Sequence, residues 1–254
     1  MISGTDLLLY RSHFITVRHL EKDYLQTLVL NEIYSDFSSD LVFKGGTALQ
    51  KVYGLDRFSE DLDFTFNGEK DYKSRLDRAL KRVADQYSFN LHSHPSEKDS
   101  ITIELRNMQG PLYPLYKATN TLKLDISLRE HTISSPELKY IVPIYPDLKQ
   151  FSVYVMSLDE MLAEKVRAIY SRTKSRDLYD IYFILNRNKL SFDFGIISKK
   201  LGDVNFSKKT FEDKIEAIGT KLWKEELSQT IVNLPDYDTV VRYVKGTLRK
   251  SILN

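Results

Sequence analysis

The sequence predicts an α+β fold to about residue 156, followed by a helical domain over 157–254. Three observations carry this. Short apolar segments at 41–43, 100–106, 121–129 and 139–144 are buried runs or alternate with the two-residue period of strands. Longer stretches at 6–37 and 70–87 repeat apolar residues at helical spacing. From Ser157 the alternation stops and the pattern is helical almost to the end.

In chain order, residues 6–37 read mainly as helix, with Leu20, Tyr24, Leu28 and Ile33 on one stripe. Leu41-Val42-Phe43 is a short buried strand that runs into a turn at Gly45-Gly46, and Thr47–Tyr53 is the helix that follows. A strand over roughly Phe58–Phe66 carries Asp61 and Asp63. Helix 70–87 places Leu76, Leu80, Val83 and Tyr87 on one face. Strands 100–106 and 121–129 are separated by a loop marked by Gly110-Pro111 and Pro114, and strand 139–144 is the last before the helices. His92 and His94 fall in a loop, without ligand spacing. There is no internal repeat and no low-complexity tract.

Composition narrows the class. With 254 residues, 42% hydrophobic and 28% charged, the chain has the make-up of an ordinary globular protein of one large or two modest domains. It has no cysteine, which excludes disulfides and thiolate metal sites and agrees with a reducing cytoplasmic location. No apolar run is long enough for a membrane span, and Met1-Ile2-Ser3-Gly4 does not open a signal peptide, so no membrane partner is expected. A net charge of +2 means that any nucleic-acid surface must come from local clustering.

The chemistry lies in two neighbouring motifs, Phe43-Lys44-Gly45-Gly46-Thr47-Ala48-Leu49 and Arg57-Phe58-Ser59-Glu60-Asp61-Leu62-Asp63-Phe64. Alternate strand residues share a face, so Asp61 and Asp63 stand roughly 6–7 Å apart on one side while Leu62 and Phe64 enter a core. Two such carboxylates can flank a divalent ion, although a lone Asp-x-Asp is also common on a solvated strand face. At Gly45, Gly46 and Thr47, amides at a helix start favour a phosphate; an ordinary strand-to-helix turn has the same pattern. Lys44, Lys51 and Arg57 can reach phosphates from there, but each taken alone reads first as a solvated surface charge. Asp125 lies in the alternating run Leu122–Leu128, with Leu124 and Ile126 on the buried face and Lys123, Asp125 and Ser127 on the other. A third carboxylate there can bind a second metal or draw a proton from an attacking hydroxyl.

The segment Lys44–Phe64 resembles the signature of nucleotidyltransferases with a polymerase-β-like fold, and more closely the AbiEii/AbiGii and MenT group of toxin-type nucleotidyltransferases. The similarity covers roughly the first three quarters of the chain and includes later motifs. Ser157-Leu158-Asp159-Glu160 followed by Lys165 is similar to the family's Thr-x-x-Glu and lysine, with Ser157 in the threonine position. Arg176-Asp177-Leu178-Tyr179-Asp180 matches its Arg-Asp-x-x-Asp. The resemblance implies a mixed-sheet catalytic domain over 1–156 and a helical domain that closes over a nucleotide. It implies catalytic roles for Asp61, Asp63, Asp125, Lys165 and Asp180, with the first three holding Mg²⁺, or Mn²⁺ in its place. Nucleotide contacts fall to Lys44, Gly45, Gly46, Thr47, Ser59 and Asp177. It further implies an NTP substrate, an RNA acceptor such as the tRNA 3′ end, and an antitoxin partner.

Local chemistry offers its own accounts of some of these residues. Ser157 and Glu160 form a capping box, and capping is taken as their main role. Asp177 and Asp180 share a helix face and suit a helix N-terminus. The run Lys165, Arg167, Arg172, Lys174 and Arg176, with Tyr170 and Tyr179 between, reads equally as an RNA grip and as a solvated helix end. Lys199-Lys200, Lys208-Lys209 and the tail from Arg242 to Lys250 can extend it. Two other functions stay open: nucleotidyl transfer to a small molecule or protein, and a non-enzymatic nucleotide-binding module. The intact carboxylate trio argues against the second.

Overall fold

The computed structural model describes residues 1–69, 71–96 and 100–253. The chain divides into two compact units. The first comprises Met1–Gly54, Phe58–Thr132 and Pro136–Val155; the second comprises Leu55–Arg57, Ile133–Ser135 and the chain from Met156 onward.

The first unit opens with two helices where one was expected over 6–37. Helix α1 spans Gly4–Leu8, a 3₁₀ turn covers Arg11–His13, and α2 spans Val17–Tyr34. Each helix has its own cap: Ser3 Oγ accepts from the Asp6 amide and Thr16 Oγ1 from the His19 amide. Two capping hydroxyls make two helix starts, which is what breaks the predicted element. Strand β1 (Leu41–Lys44) leads directly into α3 (Gly45–Tyr53), and β2 is Leu62–Phe66.

That strand is shorter than the expected 58–66, and the reason is local. The Ser59 amide donates to Gln50 Oε1, and Gln26 Nε2 donates to the carbonyls of Ser59 and Glu60. Phe58 stacks on His19 at 4.2 Å. Helix side chains satisfy this backbone, so it does not enter the sheet ladder. Asp61 therefore sits just ahead of β2, and Asp63 lies within it.

Helix α4 (Tyr72–Ala84) buries Leu76, Leu80 and Val83 as expected, with Tyr87 buried just beyond its end. Strand β3 (Asn90–Ser96) was not anticipated; His92 and His94 lie on it and not in a loop. Strand β4 is Ser100–Met108, α5 is Tyr113–Tyr116, β5 is Asn120–Ser127 and β6 is Glu137–Ile141. The last strand, β7 (Phe151–Val155), was also not anticipated. Among the described residues these seven strands form one mixed sheet in the order β3-β4-β5-β2-β1-β7-β6. β2 runs parallel to β5 and antiparallel to β1, which puts Lys44, Asp63 and Asp125 side by side across three strands. Phe43, Phe64, Leu62, Leu124 and Ile126 fill the core beneath them.

The second unit is helical: α6 (Leu158–Ser171), α7 (Ser175–Arg187), α8 (Phe194–Leu201), α9 (Lys208–Glu216), α10 (Gly219–Leu227) and α11 (Tyr237–Leu253). α7 packs against α6, α10 and α11, and its buried Leu178, Ile181, Ile184 and Leu185 face a core that includes Trp223 and Val240. Among the described residues no helix is long and apolar enough to cross a membrane.

Candidate active site

In the first unit the site starts from a strand-to-helix turn. Lys44 is the last residue of β1 and the N-cap position of α3, and Gly45 has φ +75°. A β-carbon on Gly45 would overlap the Asp63 carboxylate, so glycine is required both by backbone conformation and by close approach. The first-turn amides of α3 belong to Gly45, Gly46 and Thr47, the positions expected to favour a phosphate. Thr47 is buried, and its hydroxyl donates to the Asp61 carbonyl. Its side chain thus ties the turn to the aspartate segment. Ser59 is held through its backbone by Gln50 and Gln26.

Asp63 and Asp125 are direct register partners on parallel strands. Asp125 is engaged through both oxygens: Lys123 Nζ lies 2.7 Å from Oδ2, and Thr102 Oγ1 donates to Oδ1 at 2.5 Å. Burial pushes the Lys123 ammonium down, but the ion pair with Asp125, aided by the charges of Asp61 and Asp63, holds it above its ordinary value. All three carboxylates therefore act on one ammonium. Carboxylate oxygens with no thiolate suit a hard cation such as Mg²⁺, so the donor chemistry fits the metal that the motifs imply. In this arrangement, no three Asp, Glu, His or Cys side chains among the described residues are gathered closely enough to hold a metal ion.

The second unit contains a separate charged cluster. Asp177 and Asp180, on α7, are fully buried. Arg57 grips Asp180 with two hydrogen bonds of 3.0 Å, from Nε and from Nη2. Lys165 Nζ, on α6, lies 2.7 Å from Asp180 Oδ2 and 3.3 Å from Asp177 Oδ1. Arg172 donates to both Asp177 oxygens, at 2.8 and 3.0 Å. Burial lowers the Lys165 pKa, but Asp180 and then Asp177 outweigh it and the net shift is upward. Burial likewise raises Asp177, and Lys165 and Arg172 bring it below the ordinary carboxylate range. The charges of this cluster are held against one another, Arg57 and Lys165 on Asp180 and Lys165 and Arg172 on Asp177.

Several expectations are corrected here. Arg57 is a buried clamp on Asp180, and Lys51 is buried against Asp23 at 2.8 Å; neither is a solvated charge. Ser157 Oγ accepts from the Glu160 amide as a cap should, at 3.4 Å. The Glu160 side chain does not complete the box. It is fully buried, accepts from the amides of Ile133 and Ser134 at 2.9 and 3.0 Å, and pairs with Lys200 at 2.7 Å. Lys200 consequently does not extend a cationic surface. The run from Lys165 to Arg176 is also largely paired: Arg172 with Asp177, Lys174 with Glu226 at 3.1 Å, and Arg167 with Glu164 at 3.9 Å. Sequence reasoning missed the roles of Arg57, Thr102, Lys200 and the Lys123–Asp125 pair. Only the last had a local signal, two residues on one face of an alternating strand.

Residues 28–243 match the family described as "Nucleotidyl transferase AbiEii toxin, Type IV TA system". No curated protein matches the chain. Among solved structures, the crystal structure of JHP933 from Helicobacter pylori is similar at 20% identity and TM-score 0.62, over 94% of this chain and 96% of that one. MenT4, a nucleotidyltransferase toxin from Mycobacterium tuberculosis, is similar at 16% identity and TM-score 0.66, over 98% of this chain and 90% of that one.

Proposed function

The chain belongs to the AbiEii family of nucleotidyl transferase toxins of type IV toxin–antitoxin systems, and from that premise we propose that it moves a nucleoside monophosphate from an NTP to the 3′ end of an RNA, such as tRNA, with the help of a divalent metal ion. The observation that carries this reading is the register of Asp63 with Asp125 on parallel strands, beside the amide-rich start of α3. Asp61, Asp63 and Asp125 would hold Mg²⁺, or Mn²⁺ in its place. The ion, when bound, neutralises charge on the transferring phosphoryl group and favours an ionised acceptor hydroxyl. We assign the α3 amides to phosphate oxygens and Asp125 to the acceptor's proton. In the second unit, Lys165, held by Asp177 and Asp180, is the cation we assign to a nucleotide phosphate. The partner is the cognate antitoxin, and the expected location is the cytoplasm.

The RNA acceptor draws support from the family resemblance and from exposed cations such as Arg176, Lys208, Lys209, Arg249 and Lys250. The pairing of Arg172 and Lys174 with carboxylates favours a second reading, transfer to a small molecule or a protein, which needs no extended basic surface. Incubation with each α-labelled NTP, Mg²⁺ and total RNA, then separation of RNA from protein, tests both. Label in the RNA band supports the first reading, and label on protein or on a small product supports the second. Absence of transfer with every NTP and acceptor overturns both.

A further inference from the structure

Each oxygen of Asp125 already has a partner, Lys123 on one and Thr102 on the other. The two partners differ in kind. Thr102 contributes a hydroxyl, which can turn and leave its oxygen beside a metal ion. Lys123 contributes a full positive charge, and two cations crowded onto one carboxylate repel. Its position is fixed by the strand: Leu122, Leu124 and Ile126 are buried, so the period of β5 keeps Lys123 on the Asp125 face. Its reach is not fixed. The lysine stem is flexible, and its side chain is 38% exposed, so the ammonium can leave Asp125 for another anion nearby.

Resting on the metal-site reading above, we propose that Lys123 is the resident counter-ion of Asp125, displaced when a nucleotide triphosphate offers it phosphate oxygens. Lys123 is then a positioning residue that makes metal entry at Asp125 conditional on substrate. Without nucleotide, the ammonium keeps the carboxylate neutralised and metal affinity low. With nucleotide, the ammonium moves to a phosphate and Asp125 is released. The coupling is reciprocal, as linkage requires.

The test reads binding, not turnover. Mn²⁺ affinity is measured without nucleotide by the electron paramagnetic resonance signal of the free ion, in wild type and in Lys123→Met. The variant should bind Mn²⁺ roughly tenfold more tightly. In a second arm, α,β-methylene NTP analogues are titrated in EDTA, where Lys123 is the phosphate partner; there the variant should bind roughly tenfold more weakly. Lys123→Arg, which keeps the charge, should shift neither affinity by more than a small factor. A merely structural lysine would not move the two affinities in opposite directions. Mn²⁺ affinity that is unchanged or weaker in Lys123→Met overturns the proposal. Failure of the metal-site reading looks different: Asp61→Asn and Asp125→Asn would then leave Mn²⁺ affinity unchanged in the Lys123→Met background.

Discussion

Asp63 is the residue on which the first unit's geometry converges: it abuts Gly45, pairs in register with Lys44 and Asp125, and lies two positions from Asp61. Removing either Asp61 or Asp63 by alanine should cut label transfer to below about one hundredth of wild type while leaving the melting temperature within a few degrees, because both side chains are partly exposed on the polar side of the strand. Near wild-type transfer in either variant would remove these residues from the site. Glu160 makes the opposite prediction. A simple cap would cost about 0.5–2 kcal/mol when lost. The buried Glu160 instead shares Lys200 with Glu164 and receives two amides that would lose their acceptor, so Glu160→Ala should cost more than about 2 kcal/mol in denaturant unfolding. A loss of only about 1 kcal/mol would return it to the capping role. The local pattern Ser-x-x-Glu was legible in the sequence and its meaning was not, since Lys200 is forty residues away and a capping box is read from neighbours alone.

At the scale of elements, the α6–α7 pair ties stability to pH through groups shifted in opposite directions. The folded state lowers Asp177 below its ordinary 3.8, so its stabilisation is complete above that value and is lost as pH falls through the lowered pKa. Lys165 is raised above its ordinary 10.5, so its stabilisation is complete below that value and is lost as pH rises through the raised pKa. Urea midpoints should therefore owe nothing pH-dependent to this cluster across the neutral range. Asp177→Asn, though less stable throughout, should lose this residue's part of the acid limb. If wild type and variant lost stability in parallel below pH 4, Asp177 would not be held charged by its partners. Other elements show what the sequence could carry. Leu76, Leu80 and Val83 marked the buried stripe of α4, and alternation located β5 to within a residue or two, because both patterns are local. Strand β7 and the shortened β2 were hidden. Partners distant in sequence decide which backbone joins a ladder, as Gln26 and Gln50 do at Ser59.

At the scale of the whole molecule, 37 Lys and Arg against 35 Asp and Glu leave a net charge of +2, so binding to RNA depends on which cations remain available for phosphate. The composition made that question visible, but the pairings that answer it come only from the fold. Arg172 is unsuitable for testing it: charge reversal there would set a carboxylate beside the buried Asp177 and destabilise the α6–α7 pair. Lys174 is held by Glu226, so Arg176 and Lys208, both exposed, are the informative residues. If RNA is the acceptor, affinity should fall steeply with salt, because each neutralised phosphate of a single strand releases counter-ions and contributes about 0.7 to the log–log slope. Arg176→Gln combined with Lys208→Gln should weaken RNA binding at low salt and flatten that slope by up to about 1.4, two contacts' worth, with NTP affinity little changed. An unchanged slope in the double variant would move the contact surface to other cations, such as those of α11. A flat salt response in the wild type would leave nucleotidyl transfer intact and eliminate RNA as its acceptor, since no phosphate chain can be gripped without releasing ions.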